Sequence, residues 1–234
     1  MLAIKSNSLK TNLDIREIIK ATQKCCLFNF SAFNSGDTEN PVNEILKDLT
    51  SDNIMITNLL KIYNFDHYTF LHSINVALLS IAIALSIGIP NREVRDIGAG
   101  ALLHDIGKTM IPINILNKKG KVNHKELNEL RKHVECGHEI VLTQNNYNET
   151  VKLIVWQHHE RVDGSGYPLG ISGSKITIAT RIVSVADIFD ALTSDRPYRK
   201  AFSISKALRI LNLEAAKYDE KVVQIINNIN SFHR

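Results

Sequence analysis

Three short segments of the sequence place histidines and aspartates where they could bind metal ions. The first is LLHDIGK, in which an apolar run delivers His104 and Asp105 side by side before Gly107 breaks the helix. An imidazole nitrogen beside a carboxylate oxygen suits a first-row divalent cation, and a carboxylate can bridge two such ions. The pair alone is weak evidence, because most His–Asp dipeptides are surface or capping residues.

The second segment, HHERVDGSGYP at 158–168, is far more specific. His158 and His159 close a predicted helix, and neighbouring residues on a helix point about 100° apart. Both histidines can therefore reach one metal cluster only near a helix end, where the following DGSGYP loop lets the chain turn. A chance pair of surface histidines would explain the dipeptide but not the whole string.

The third segment, ADIFDALTSDRPYR at 186–199, offers two carboxylates on one helix face. Asp187 and Asp190 stand three residues apart, on a helix otherwise apolar enough to be buried. A buried carboxylate needs a partner, and a metal ion is one. A structural salt bridge is the alternative that this segment alone leaves open.

The fold that must position these residues is predicted to be all-α. The chain has 234 residues, 44% of them hydrophobic, which is enough for one large domain with a substantial core. No segment shows sustained period-two alternation, so strands are not expected. We predict a weakly helical N-terminal extension over residues 1–40 and one domain over residues 41–234.

Capping and breaking residues mark the expected helices. Pro41 opens a helix whose apolar face continues to Tyr63, and Asp66 caps the next one. That helix stops at residues 88–90, Gly-Ile-Pro, and Asn91 caps the helix leading to His104. The other predicted helices lie around 123–131, 133–145, 149–159, 178–193, 203–217 and 219–231, with loops at 107–122 and 160–177.

Charge, cysteines and hydropathy exclude several classes of protein. A net charge of +4 assists anionic ligands but is too small for wrapping a nucleic-acid polymer. Three cysteines, with Cys25 and Cys26 adjacent, form no disulfide framework and are typical of a reduced, cytoplasmic protein. The apolar stretch 74–89 is shorter than the roughly 18 to 20 residues that a bilayer requires. We therefore expect a buried core helix there and no membrane span.

The three segments together, in order and spacing, resemble the HD-GYP domain family of bacterial cyclic di-GMP phosphodiesterases. The resemblance extends from about Tyr63 to the C-terminus. It implies an HD-type helical bundle with a metal centre in its core, holding two divalent ions, iron or manganese before zinc. It also implies hydrolysis of cyclic di-GMP to linear pGpG or GMP, through attack of a metal-bridging hydroxide on the phosphodiester.

The resemblance also implies which residues bind the metals. In the family arrangement Asp105 bridges both ions, and His133 fits because HVECG keeps the family spacing HxxxG. Some members hold a third metal through a Glu where this chain has Tyr68, so a dinuclear centre is expected. The implied ligands are His72, His104 and Asp187 for one ion, His133, His158 and His159 for the other, and Asp105 for both.

Residues around the implied ligands are candidates for substrate binding and proton transfer. Lys108 matches the phosphate-contacting lysine of the family, and Tyr167 is expected to shape the substrate pocket unless it is only a loop anchor. Arg196 and Arg199 fall where the family places basic residues against the second phosphate or the guanines, with surface salt bridges as the alternative. Asp190, one turn from Asp187, is the candidate proton donor to the leaving group.

Other functions stay open at the level of sequence. The chain could be a receptor that binds a cyclic dinucleotide without cleaving it, although such a receptor would be free to lose the ligand set. It could hydrolyse another cyclic dinucleotide, or act as a more general HD hydrolase on mononucleotides. It could also dock onto a diguanylate cyclase, with or without catalysis. A homodimer is compatible with every one of these functions.

Overall fold

The computed structural model describes residues 40–195 and 199–231, and every regular element in this part of the chain is helical. The all-α prediction is confirmed. The predicted extension lies outside the described residues except for Asn40, so its boundary stays a prediction. The α-helices are α1 (Pro41–Leu49), α2 (Asn53–Phe65), α3 (His67–Ser86), α4 (Asn91–Leu103), α5 (Ile113–Leu116), α6 (His124–Arg131), α7 (His133–Leu142), α8 (Glu149–Gln157), α9 (Ile178–Thr193), α10 (Ile204–Leu213) and α11 (Glu220–Ser231).

Side-chain caps begin several of these helices. The Asn40 side chain accepts a hydrogen bond from the Val42 N–H at 2.9 Å, with Pro41 at the first helical position. Asp66 accepts from the Thr69 N–H at 2.8 Å, as its predicted role as a cap requires. In contrast, the predicted cap Asn91 is the first residue of α4 and Pro90 precedes it.

The sequence-based helix boundaries need three corrections. The single helix expected from Pro41 is broken at Thr50, and Asp52 caps a second helix by accepting from two backbone N–H groups. The loop expected at 107–122 contains α5 and most of a 3₁₀ helix, Ile106–Met110. The helix expected at 203–217 ends at Leu213, and a 3₁₀ turn follows it. Helix boundaries depend on local hydrogen bonds that apolar periodicity does not record.

Helix α3 is the central element, packed mainly against α4 and α9. It is the one helix in the described part of the chain that is long and apolar enough to cross a bilayer, but 78% of its apolar window lies inside the protein. The core helices of soluble proteins pass the same test of length and composition. The burial agrees with the predicted core helix over residues 74–89. Because α3 carries His72, the site lies within the packed core rather than on a surface loop.

Candidate metal centre

The buried carboxylate of Asp105 faces two groups of histidines. Its Oδ2 lies 3.2 Å from Nε2 of His104 and 3.6 Å from Nε2 of His72. Its Oδ1 lies 3.4 Å from Nε2 of His133. The two oxygens of one carboxylate therefore point toward different histidine groups, which is the arrangement that a bridging ligand needs.

Two of the close donor groups match the two sets that the sequence analysis expected, and a third group, His104, Asp105 and His158, connects them. In each set one donor atom from every residue lies within 4.8 Å of the others. The first set includes a 3.1 Å approach of His72 Nε2 to Asp187 Oδ1, and the second a 3.4 Å approach of His133 Nε2 to His158 Nε2. The sets are His72, His104 and Asp187, and His133, His158 and His159. The structure thus brings every predicted ligand together, while their binding of metal stays a prediction.

Close helix packing brings the ends of α4 and α8 together. A Cβ at Gly100 would lie 2.6 Å from Cδ1 of Ile154, so glycine lets the two helices approach. His104 directly follows α4 and His158 directly follows α8, and their ring centroids lie 5.0 Å apart. The paired histidines of the second segment therefore stand at a helix end, as predicted.

A second close approach links Asp105 to His133. A Cβ at Gly107 would collide with the His133 carbonyl oxygen and the Gly137 N–H group. The 3₁₀ helix after Asp105 can therefore lie directly on α7 only with glycine at position 107. This contact gives a physical reason for the HxxxG spacing, because Gly137 lies one turn after His133 where the backbones meet.

Hydrogen bonds at Nδ1 orient four of the histidine rings. His104, His133 and His158 each donate from Nδ1 to the carbonyl three residues earlier, at 2.7, 2.6 and 3.1 Å. His72 donates from Nδ1 to Asp190 Oδ2 at 2.6 Å. In the neutral form of each ring, this bond selects the tautomer that leaves the Nε2 lone pair available to a metal.

Two buried atoms in this cluster lack a hydrogen-bond partner. Nε2 of His104 and Oδ1 of Asp105 are both inaccessible to water and unpaired. Leaving such atoms without a partner costs free energy, and a cation bound beside each of them would supply one. Mixed imidazole and carboxylate donors are also a set that first-row divalent ions accept. The residues present therefore fit a metal centre.

The protonation states favour metal binding at most positions. Burial lowers the pKa of His158 to about 3, assisted by the charges of His104 and His133. Burial likewise lowers the pKa of His159 and of His133. Burial would raise the pKa of Asp105, but Lys108 and the neighbouring histidines hold that pKa well below its usual value. Neutral imidazoles and an ionised carboxylate are the forms that bind metals.

Lys108 and Tyr167 lie beside the cluster. Nζ of Lys108 is 2.6 Å from Asp105 Oδ2, and its side chain is 23% exposed. The Tyr167 ring stacks on the His159 ring with centroids 4.7 Å apart. The side chain of His159 is 20% exposed, against 2% for His72, so the cluster opens toward solvent on the side of Lys108, His159 and Tyr167.

Asp190 does not present an open oxygen to this cluster. Its Oδ2 accepts from His72, and its Oδ1 accepts from the Asn75 amide at 2.9 Å and from the Ser194 hydroxyl at 3.1 Å. The geometry therefore favours a role of Asp190 in positioning His72, and the role of Asp190 as proton donor stays a prediction. The sequence indicated only that Asp190 shares a helix face with Asp187. Its partner His72 lies on another helix, and no sequence pattern revealed that contact.

The two arginines predicted to bind substrate receive no support. Arg199 donates to the carbonyls of Ala191 and Leu192 at 2.5 and 3.2 Å, and so terminates α9 instead of pointing to a ligand. Its guanidinium also lies over the Phe202 ring. These contacts favour a structural role as a cap of α9, so the substrate contact of Arg199 stays a prediction, and Arg196 lies outside the described residues.

Arg131 lies near the open side of the cluster and was missed by the sequence analysis. Its guanidinium carbon lies 4.8 Å from the centroid of the Tyr167 ring. The signal available in RKHVECG was a basic residue two positions before His133. That signal is weak without the fold, because the chain is rich in surface lysines and arginines.

Comparisons with known proteins agree with this site. The family model described as the HD domain matches residues 55–222. A cyclic di-GMP phosphodiesterase of Pseudomonas aeruginosa is 35% identical over 82% of this chain and 46% of its own length. A 3'3'-cGAMP-specific phosphodiesterase of Vibrio cholerae is 40% identical over 64% of this chain and 33% of its own length. The chain thus spans less than half the length of both relatives.

Solved structures share the fold. A protein of Bdellovibrio bacteriovorus described as HDG"Y"P aligns with a TM-score of 0.61 at 22% identity, covering 86% of this chain and 76% of its own. The chain belongs to the HD domain family, and its relatives support the HD-GYP resemblance.

Proposed function

We propose that this chain hydrolyses cyclic di-GMP, giving linear pGpG or GMP, at a centre of two divalent ions, iron or manganese. The observation that carries the proposal is the Asp105 carboxylate, whose two oxygens face the two histidine sets. The names of the curated relatives supply the substrate class. When bound, two such ions would activate water as the nucleophile and neutralise charge on the phosphate.

The chain's own residues orient the reaction. The Nδ1 hydrogen bonds hold the imidazoles in place, so little reorganisation is needed during the reaction. Lys108 brings a positive charge to the open side, where it would stabilise the phosphate in the transition state. Most of the cluster is buried, which excludes bulk water and strengthens these electrostatic interactions.

A closely related alternative is hydrolysis of another cyclic dinucleotide. The relative named for 3'3'-cGAMP is as similar in sequence as the one named for cyclic di-GMP. Both substrates carry two phosphates in a ring, and the cluster described above would bind the phosphates that the two substrates share. Discrimination between guanine and adenine therefore depends on residues beyond the metal centre.

Two measurements on one anaerobically purified sample test the proposal. Elemental analysis should find iron or manganese, and chromatography should find pGpG or GMP from cyclic di-GMP. Bound metal and bound cyclic di-GMP without any product would identify a receptor instead. If 3'3'-cGAMP gives product and cyclic di-GMP does not, the proposed substrate is wrong but the proposed type of reaction stands.

Location and partners follow from the proposed substrate. Because cyclic di-GMP is an intracellular messenger, we propose that the chain acts in the cytoplasm and binds no nucleic-acid polymer. A diguanylate cyclase partner and a homodimer are compatible with this function. Light scattering of the purified chain, alone and mixed with a cyclase, would test both associations.

A further inference from the structure

Arg131 occupies a defined place at the open side of the cluster. It is the last residue of α6, two positions before the predicted ligand His133. Its guanidinium lies over the Tyr167 ring, and Tyr167 stacks on the predicted ligand His159 with an interplanar angle of 23°. Tyr167 therefore holds Arg131 one aromatic ring away from the metal cluster.

The N–H groups of Arg131 have no acceptor among the described residues. The side chain is exposed, and within residues 40–195 and 199–231 it forms no recorded hydrogen bond or ion pair. Nearby arginines differ, because Arg161 donates to the carbonyls of His158 and Glu160, and Arg181 pairs with Asp219 at 2.8 Å. A guanidinium stacked on an aromatic face keeps its N–H edge available for a phosphate.

Two cations therefore border the open side in different positions. Lys108 lies against the central carboxylate Asp105, and Arg131 lies beyond Tyr167. A cyclic dinucleotide also carries two phosphates, of which a metal centre engages one at a time. We propose that Arg131 binds the phosphate that is not being cleaved, and so selects cyclic dinucleotides over small diesters. This inference rests on the proposed function.

The substitution Arg131→Met tests the charge separately from the packing. Methionine keeps an unbranched apolar side chain against Tyr167 but removes the guanidinium. We expect KM for cyclic di-GMP to rise about ten- to a hundredfold, the scale for losing a hydrogen bond to a charged group. The value of kcat should change much less, and Arg131→Lys should recover part of the affinity.

Substrate selectivity gives the second readout. The ratio of kcat/KM for cyclic di-GMP to that for bis-p-nitrophenyl phosphate should fall in Arg131→Met, because the small diester has no second phosphate. The matched control is Arg209→Met, which removes an exposed arginine of α10 that forms no hydrogen bond or ion pair with the described residues. This control should keep the wild-type ratio and the wild-type KM.

The outcomes separate the inference from the function on which it rests. A wild-type KM in Arg131→Met would overturn the inference and leave Arg131 as packing on Tyr167. An equal loss of kcat/KM on both substrates would also overturn it. Arg131 would then support the metal cluster in general and would not bind a second phosphate. A wild-type protein that cleaves the small diester but no cyclic dinucleotide would overturn the proposed function itself, and the inference with it.

Discussion

His72 and Asp190 form a buried pair in which the imidazole donates from Nδ1 to the carboxylate at 2.6 Å. Asp190 is held in turn by the Asn75 amide and the Ser194 hydroxyl. A carboxylate behind a metal-binding histidine fixes the ring and raises its basicity. This geometry favours an action of Asp190 on the centre through His72, and the next substitution tests it against the predicted role as proton donor.

The substitution Asp190→Asn should weaken metal binding. An asparagine of the same size cannot provide the negative charge behind His72, so we expect metal affinity to fall about 10- to 100-fold. Competition with a chelator measures this affinity. Unchanged affinity together with a large loss of kcat would instead support the proton donor that the sequence predicted.

Metal binding should release a proton from His72. Burial alone would lower the pKa of His72, but the hydrogen bonds to Asp187 and Asp190 and their charges raise it to about 9 in the metal-free protein. The raised pKa contributes to the free energy of unfolding of the metal-free protein. This contribution is fully present below pH 6.5 and is lost as the pH rises through about 9. Because a metal at Nε2 displaces the proton, metal affinity should rise between these pH values, up to about tenfold per pH unit.

Calorimetric titration with Mn²⁺ in buffers of different ionisation enthalpy measures this release directly. We expect about one proton per chain from His72 near neutral pH. Asp190→Asn should release less, because one of the two carboxylates that raise the pKa of His72 is gone. A pH-independent affinity with no proton release would show that His72 is not a ligand.

The substitution Lys108→Ala should separate catalysis from metal binding. Lys108 contributes charge at the open side but is not among the predicted ligands, so metal content should stay at the wild-type value. Turnover should fall roughly 10²-fold, the usual effect of losing one charge-stabilising group. The matched control is Lys118→Ala, because Lys118 pairs with Glu126 on the surface. Wild-type turnover in Lys108→Ala would reduce Lys108 to a structural role.

The substitution Arg199→Ala should affect stability instead of substrate binding. Its hydrogen bonds to the Ala191 and Leu192 carbonyls cap α9, which carries Asp187. We expect the melting temperature to fall by about 4 to 8 °C, which corresponds to about 2 kcal/mol in a chain of this size. A raised KM at an unchanged melting temperature would restore Arg199 as the predicted substrate contact.

The sequence marks four of the predicted ligands locally, and the family resemblance supplied the others. His104 and Asp105 stand beside a helix-breaking glycine, and His158 and His159 stand before a Gly-rich loop. Each signal lies within a few residues, so no tertiary information is needed to find it. The partition into two sets came from the family resemblance, and the two oxygens of Asp105 now show the matching geometry.

Roles that depend on contacts between distant segments could not be predicted. Asp190 contacts His72 from another helix. Arg131 contacts Tyr167, which belongs to the loop that follows α8. Arg199 had the charge expected of a phosphate contact, but its donors are used by the end of α9. Charge and spacing indicate which residues can do chemistry, whereas packing decides whether their polar groups remain available.

The metal content of wild-type protein and of Asp105→Asn, both purified anaerobically, tests the central claim most directly. Asparagine keeps the size of the buried side chain but removes the charge shared between the two histidine sets. The account predicts two iron or manganese ions per wild-type chain and the loss of both from a folded Asp105→Asn protein. Retention of both ions by that variant would contradict the bridging role of Asp105.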